Sequence, residues 1–311
     1  MKTNKKNGLL NDVKIHLAAS LSIILIMLAP LSGFSQCENQ SQGGSIKILT
    51  WNIQMLPHRC VHIGQFKRAK EIVEVLKNQE ADIIVFEEAF DKKSRNIIRE
   101  GLKAVFPYES GDPGKNKFYK ISSGVWILSK VQINIVKQIF FNESKGSDRL
   151  ACKGAILVEG QKNGFCFQLV GTHLQSDLDN GKNVQPIRNV QYAQIRTELL
   201  ERYAEDGVPQ FVAGDFNTIQ ADSGSYTRLV STLKLTQCPL EGDRCFSYDY
   251  GNNDEIVGPQ GPPQLIDYVF YSNKENASLV GKMHIMVFRK QWDSTHIDLS
   301  DHFALAAEFQ F

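Results

Sequence analysis

The feature that most limits how this chain can fold is a succession of nine short runs rich in β-branched and aromatic residues. They are IKILTWNI (46–53), DIIVFEEA (82–89), SGVWILSK (123–130), AILVEG (155–160) and FCFQLVGTH (165–173). QFVAGDFN (210–217), LIDYVFY (265–271), KMHIMVF (282–288) and FALAAEFQF (303–311) follow. Runs of this length bounded by turn-forming residues read as strands. Two stretches carry a clear helical period. In residues 64–79, Ala69, Ile72, Val73 and Leu76 share a face; in residues 186–206, Tyr192, Ile195, Leu199 and Tyr203 do. GQKNG (160–164) between two runs predicts a hairpin, which argues against a purely parallel Rossmann arrangement. Many strands with few helices predict an α+β fold of two packed, mostly antiparallel sheets flanked by helices.

The start of the chain is of a different kind. Lys2, Lys5, Lys6 and Lys14 precede an uncharged apolar stretch, Leu17 to Phe34, interrupted by Pro30. A membrane-spanning helix needs roughly 20 apolar residues. A positive start, a short apolar middle and the small residues Ser32, Gly33 and Ser35 instead read as a secretory signal cleaved near residue 36. An uncleaved anchor is the alternative; a lipoprotein site at Cys37 fits poorly behind Gln36. Residues 37–45 are then a polar linker and 46–311 a single domain. Removing 1–36 takes away four lysines and one aspartate, so the net charge passes from +1 to −2. That balance argues against a protein that grips nucleic acid mainly by its phosphates. All six cysteines follow the leader, and an exported chain permits disulfides. Cys238 and Cys245 are the one pair close enough to suggest a loop staple.

What distinguishes the runs is their ends. The first ends on Asn52, the second on Glu87 and Glu88, the fifth on His173, and QFVAGDFN on Asp215 and Asn217. LIDYVFY holds Asp267, and Asp301 and His302 stand just before the last run. Each alone has a structural explanation: Asp and Asn after Gly are turn residues, a lone Glu is usually solvated, a lone His usually hydrogen-bonded. Together they supply carboxylates, amides and imidazoles to the ends of separate strands, which packed sheets bring to one rim. That inventory suits Mg²⁺, which takes oxygen ligands and keeps several waters, and phosphate chemistry assisted by it.

TWNI, FEEAF, SGVWILSK, GTHLQS, GDFN, LIDYVF and SDH occur in the order that resembles the endonuclease/exonuclease/phosphatase superfamily. FEEAFD, GTHLQS and DRLACKGAILVEG (148–160) resemble its neutral, sphingomyelinase C-type branch. The resemblance implies a four-layer α/β/β/α sandwich and a secreted, Mg²⁺-dependent phosphodiesterase, with Mn²⁺ or Co²⁺ as substitutes. Glu88, Asn52 and Asp301 would serve the metal. His302 would be the general base, Asp267 its orienting partner, and His173 an acid or electrostatic stabiliser. Asp215 and Asn217 would position the attacking water. The implied substrate is sphingomyelin or a related membrane phospholipid, met through transient membrane contact by a monomer, with nucleic acid not expected as a partner. Branch members carry an aromatic hairpin before SDH, where this chain offers only Phe288 and Trp292, a departure that argues against deep insertion; Phe140 and Phe141 are a second candidate contact, with core or strand-end packing the favoured reading. The alternatives are a DNase-like nuclease, a phosphatase of inositol phosphates or phospholipid head groups, and a lipid-binding module without chemistry.

Overall fold

The computed structural model describes residues 43–115, 117–177, 183–257, 261–272 and 279–311. The leader and most of the linker lie outside the described residues. Strand β1 (Ser45–Met55) leads to helix α1 (Gln65–Leu76), strand β2 (Ile83–Ala89) and helix α2 (Lys92–Leu102). Strands β3 (Tyr108–Glu109), β4 (Trp126–Ser129), β5 (Ile133–Phe140), β6 (Gly154–Lys162) and β7 (Phe165–His173) follow. Helix α3 (Gln185–Gln194), strand β8 (Gln210–Asp215), helix α4 (Ser223–Leu233) and strands β9 (Thr236–Gln237), β10 (Asp267–Tyr271), β11 (Val280–Met286) and β12 (Ala304–Gln310) complete the order.

These strands form two mixed six-stranded sheets, ordered β11-β12-β1-β2-β4-β3 and β5-β6-β7-β8-β10-β9. Strand periodicity explains the layering. Along β1, Ile46 and Ile48 enter the core shared by the two sheets, whereas Leu49, Trp51, Ile53 and Met55 join a second cluster with Ile72 and Leu76 of α1 and Ile98 and Leu102 of α2. A strand buried on both faces shows no strict polar alternation, which is why apolar residues of this run fall on both faces. The other sheet carries α3 and α4, whose Tyr192, Leu229 and Leu233 belong to the larger core. The expected hairpin forms: Lys162 faces Phe165 across Asn163 (φ 51°) and Gly164 (φ 83°), the two positive angles that a type I′ turn requires.

The structure answers three expectations. Phe288 is buried, its ring centroid 5.0 Å from that of Trp51. Trp292 covers Gly64, where a Cβ would meet the indole at 2.2 Å, and donates Nε1–H to Asp298 O at 2.9 Å. Phe288 is therefore interior and Trp292 half-buried against the same cluster, so neither ring stands free on the surface. Phe141 packs against the larger core and Phe140 ends β5 half-buried, as the favoured reading has them. The Cys238–Cys245 staple is not formed: both are free thiols, Cys238 buried under Gly281 and Cys245 exposed.

Candidate active site

Three adjacent strands of the second sheet bring their polar ends level. The register pairs His173 at the end of β7 with Asp215 at the end of β8, and Asp215 with Asp267 at the start of β10. Gly214 makes this possible, since a Cβ there would lie 2.0 Å from Thr172 O. Beyond it the chain turns through Asn217 (φ 49°), whose N–H donates to Asp215 Oδ1 at 2.8 Å and whose Nδ2 donates to Leu174 O at 3.1 Å. The turn chemistry and the site chemistry are therefore carried by the same two residues.

The first sheet faces this row with Asn52 and two glutamates. Glu87 keeps the strand alternation and points between the sheets, where Thr50 Oγ1 donates to it at 2.7 Å. Glu88 breaks the alternation with φ 53°, a conformation costly for a non-glycine residue and often concentrated at functional sites. That turn puts its carboxylate into the cavity, with no side-chain hydrogen bond among the described residues. Asp301 and His302 arrive from the turn before β12. Trp51 Nε1 donates to His302 O at 2.9 Å and Ser300 Oγ donates to Asn52 O at 2.6 Å, which pins that turn to β1.

The segments meet on Asp215. Asn52 Nδ2 donates to its Oδ2 at 3.1 Å, and His173 Nε2 and His302 Nε2 lie 3.4 and 3.9 Å from the same oxygen. His302 Nδ1 is 2.9 Å from Asp267 Oδ2. Asn52, Glu88, His173, Asp215, Asn217, Asp301 and His302 all line one cavity of ≈ 210 Å³, together with Tyr248, Tyr250 and Gln264. Asp267 stands directly behind His302, fully buried.

Burial and crowding set the charges here. Burial alone would discharge His302, but Asp267, through charge and hydrogen bond, and then Asp215 outweigh it and hold the imidazole pKa well above its ordinary value. Burial, then the Lys153 cation, pushes His173 well below, so that ring is neutral. Burial, then Asp301, raises Glu88 to about 7; burial, then Asp267, raises Asp215 to about 6.

Lys153 is a residue at the edge of the site to which the sequence assigns no role. Nearly buried, it extends Nζ to His173 Nε2 at 3.0 Å, to Leu174 O at 2.8 Å and to Asp148 Oδ2 at 2.9 Å. The available signal is a lysine set within the apolar stretch ACKGAILV. Asp148 in turn accepts from Ser176 N at 2.7 Å and Ser176 Oγ at 3.2 Å.

A divalent cation fits this rim. Glu88, Asp215 and Asp301 crowd one cavity, and Glu88 turns an unpartnered carboxylate into it. Among the described residues Asn52 Oδ1 accepts only Gln54 N, at 3.1 Å, which leaves a lone pair on a residue that lines the same cavity as Glu88. Asp215, Asp267 and His302 also present ligand atoms within 4.8 Å of one another. In that group Asp267 Oδ2 holds His302 Nδ1, while Asp267 Oδ1 is buried with no hydrogen-bond partner among the described residues.

The chain belongs to the endonuclease/exonuclease/phosphatase family, whose model matches residues 49–302. Among its relatives, it is similar to Sphingomyelinase C 2 of Leptospira interrogans, with 31% identity over 292 residues that cover 85% of this chain and 46% of the relative. It thus spans about half the length of the curated Leptospira relatives it matches. Its fold is similar to that of sphingomyelinase C from Streptomyces griseocarneus, with TM-score 0.75, 24% identity and 85% and 99% of the two chains covered. It is also similar to a mutant of Staphylococcus aureus beta toxin with bound magnesium ions, with TM-score 0.74, 21% identity and coverage of 85% and 99%.

Proposed function

We propose that this protein is an exported phosphodiesterase, dependent on Mg²⁺, that hydrolyses sphingomyelin to ceramide and phosphocholine and acts as a monomer at a membrane surface. The observation that carries the reading is the row His173–Asp215–Asp267, closed by His302 and faced by the open carboxylate of Glu88. The sphingomyelinase relatives and the magnesium-bound beta toxin structure support the substrate and the metal; the apolar leader supports export.

Glu88 and Asn52, with Asp301, would hold the Mg²⁺ ion. An Mg²⁺ ion held there would supply positive charge to a phosphoryl oxygen. His302, once neutral, takes a proton at Nε2 from the attacking water. Asp267 keeps the other ring nitrogen protonated and fixes the tautomer, a support that orients an imidazole for its task. Asp215 and Asn217 position the water beside Nε2. The water oxygen bonds to phosphorus as the bond to the ceramide oxygen breaks, and that oxygen takes a proton from solvent. Of the two roles expected for His173, its neutral state supports the stabiliser rather than the acid, with Lys153 supplying the positive charge behind it.

The test offers the exported protein sphingomyelin, phosphatidylcholine, ceramide phosphoethanolamine and plasmid DNA separately, with Mg²⁺ and with EDTA. Phosphocholine release from sphingomyelin that EDTA abolishes is the expected result. DNA nicking without lipid cleavage would replace this reading with a nuclease.

A further inference from the structure

The water-exposed aromatic rings are concentrated at one place. Phe118 is 89% exposed and Tyr119 68%, whereas Phe246, the next ring among the described residues, is 40% exposed. Both stand at the tip of the excursion between β3 and β4. Its neck is closed by Ser123 N donating to Gly114 O at 2.8 Å, and its returning arm is tied down by Ile121 N donating to Leu150 O at 2.9 Å. Leu150, on the segment so joined, is itself 69% exposed. Scattered single apolar residues are normal on a soluble surface; a contiguous group marks an interaction site.

The surrounding charge is mostly positive. Residues 113–122 contain Lys115, Lys117 and Lys120 and no acid, and Arg149 precedes Leu150. Of the nearby acids, Asp148 is buried against Lys153 and Asp112 pairs with Arg99 at 2.7 Å; Glu143 is exposed between Asn142 and Ser144, which share a hollow with Lys117 and Lys120. Lys117 Nζ stands 6.0 Å from the Tyr119 ring. Lys117 and Lys120 line one hollow with Lys153, whose Nζ reaches His173 Nε2.

Aromatic rings with cationic neighbours suit the interfacial region of a bilayer, where rings embed and lysines meet anionic head groups. We propose that Phe118, Tyr119 and Leu150, flanked by Lys115, Lys117 and Arg149, form the surface on which this protein settles onto a phospholipid bilayer containing anionic lipid. The proposal rests on the phospholipid-hydrolase reading and supplies the contact that Phe288 and Trp292 do not make. Single-stranded nucleic acid would want open faces for stacking. Here Phe118 and Tyr119 meet edge to face, centroids 5.5 Å apart at 87°, and Leu150 has no ring.

The test uses the exported protein and vesicles of phosphatidylcholine and sphingomyelin, with and without phosphatidylserine. Sedimentation with vesicles measures binding, and a water-soluble p-nitrophenyl ester of phosphocholine reports the catalytic site independently. Wild type binds the phosphatidylserine vesicles more tightly. The double variant F118S/Y119S weakens that binding at least about tenfold, since embedding even one aromatic side chain is worth that much. K115S/K117S weakens it about fivefold per lysine, from the contribution of a cation near an anionic surface, while soluble-ester turnover stays at the wild-type level in both. Phe118→Trp keeps wild-type vesicle affinity. Unchanged vesicle binding by F118S/Y119S overturns the proposal, as does loss of binding in Phe118→Trp. Single-stranded DNA binding that the same variants abolish, without vesicle binding, overturns it too. Vesicle binding without any phosphodiester turnover would leave the surface standing and sink the hydrolase reading instead.

Discussion

His302 Nδ1 lies 2.9 Å from Asp267 Oδ2, and this pairing leaves Nε2 facing Asp215 at 3.9 Å. Burial disfavours the charged ring, but the Asp267 anion more than offsets it and keeps the proton on. A base must be neutral to work, so turnover is expected to climb as pH rises through this raised pKa. Asp267→Asn removes the anion. The acidic limb of the kcat profile then moves to lower pH, while the plateau falls by about 10²- to 10⁴-fold as proton transfer loses its oriented acceptor. A kcat–pH profile on a soluble ester checks both; a limb that stays in place would show that Asp267 does not set the titration.

Lys153 and Asp148 make an ion pair with almost no access to water. Lys153→Met would strand the Asp148 carboxylate, and breaking a buried pair from one side costs about 3–5 kcal/mol. The two Ser176 donors put the expected loss at the lower end of that range. Adding Asp148→Asn to Lys153→Met is expected to recover part of the loss, because no buried charge then remains. Urea unfolding of the two variants measures the difference. In the single variant His173 also loses the cation that lowers its pKa, so its titration, followed by NMR, moves up.

How much of this was open to the eye in the sequence varies with the range of the interactions concerned. The strands holding Asn52, His173 and Asp215 are legible because both their faces are buried and their polar ends interrupt an apolar run. Strand β5 is not, since Asn134, Ile135 and Lys137 are exposed at a sheet edge. Helix α2 has only a thin apolar stripe, Ile98 and Leu102, and owes its start to the Asp91 cap on Ser94. Helix α4, rich in Ser, Thr and Gly, depends on the Asp222 cap. Phe288 and Trp292 look like surface aromatics until Trp51 and Gly64, more than 200 residues away in the chain, are seen to cover them. Lys153 is legible as an anomaly; its partner His173 is fixed only by the pairing of β6 with β7.

The crowding of Glu88 with Asp301 and Asp215 makes a cation stabilising. Mg²⁺ is therefore expected to raise the Tm of the wild type, because a ligand bound only to the native state stabilises it. Glu88→Gln relieves repulsion in metal-free protein, so its Tm without Mg²⁺ equals or exceeds that of the wild type, and it gains little when Mg²⁺ is added. Since Glu88 must be ionised to bind, and burial followed by Asp301 lifts its pKa to about 7, Mg²⁺ affinity should weaken as pH falls below that value. Thermal melts across Mg²⁺ concentrations at two pH values check this. An equal Mg²⁺ response in Glu88→Gln would move the cation to other residues.

Glu255 lies away from the cavity, with Oε2 3.8 Å from Nε of the fully buried Arg68. Arg68 donates to Ile53 O, Gln54 O, Ile63 O and Leu299 O, and so ties the end of β1 to the segment before Asp301. Burial raises the Glu255 pKa to about 7 even though Arg68 pulls the other way. The folded protein thus holds this proton more tightly than the unfolded chain, whose glutamates titrate near their ordinary value. The resulting stabilisation is fully present below the unfolded pKa and is lost as pH rises through about 7. Glu255→Gln cannot release a proton, so its unfolding free energy should change less than that of the wild type between pH 4.5 and 7.5. Chemical denaturation at intervals across that range measures the two slopes. If the two curves run parallel, the proton on Glu255 contributes nothing to the linkage and the Arg68 contact alone governs its charge.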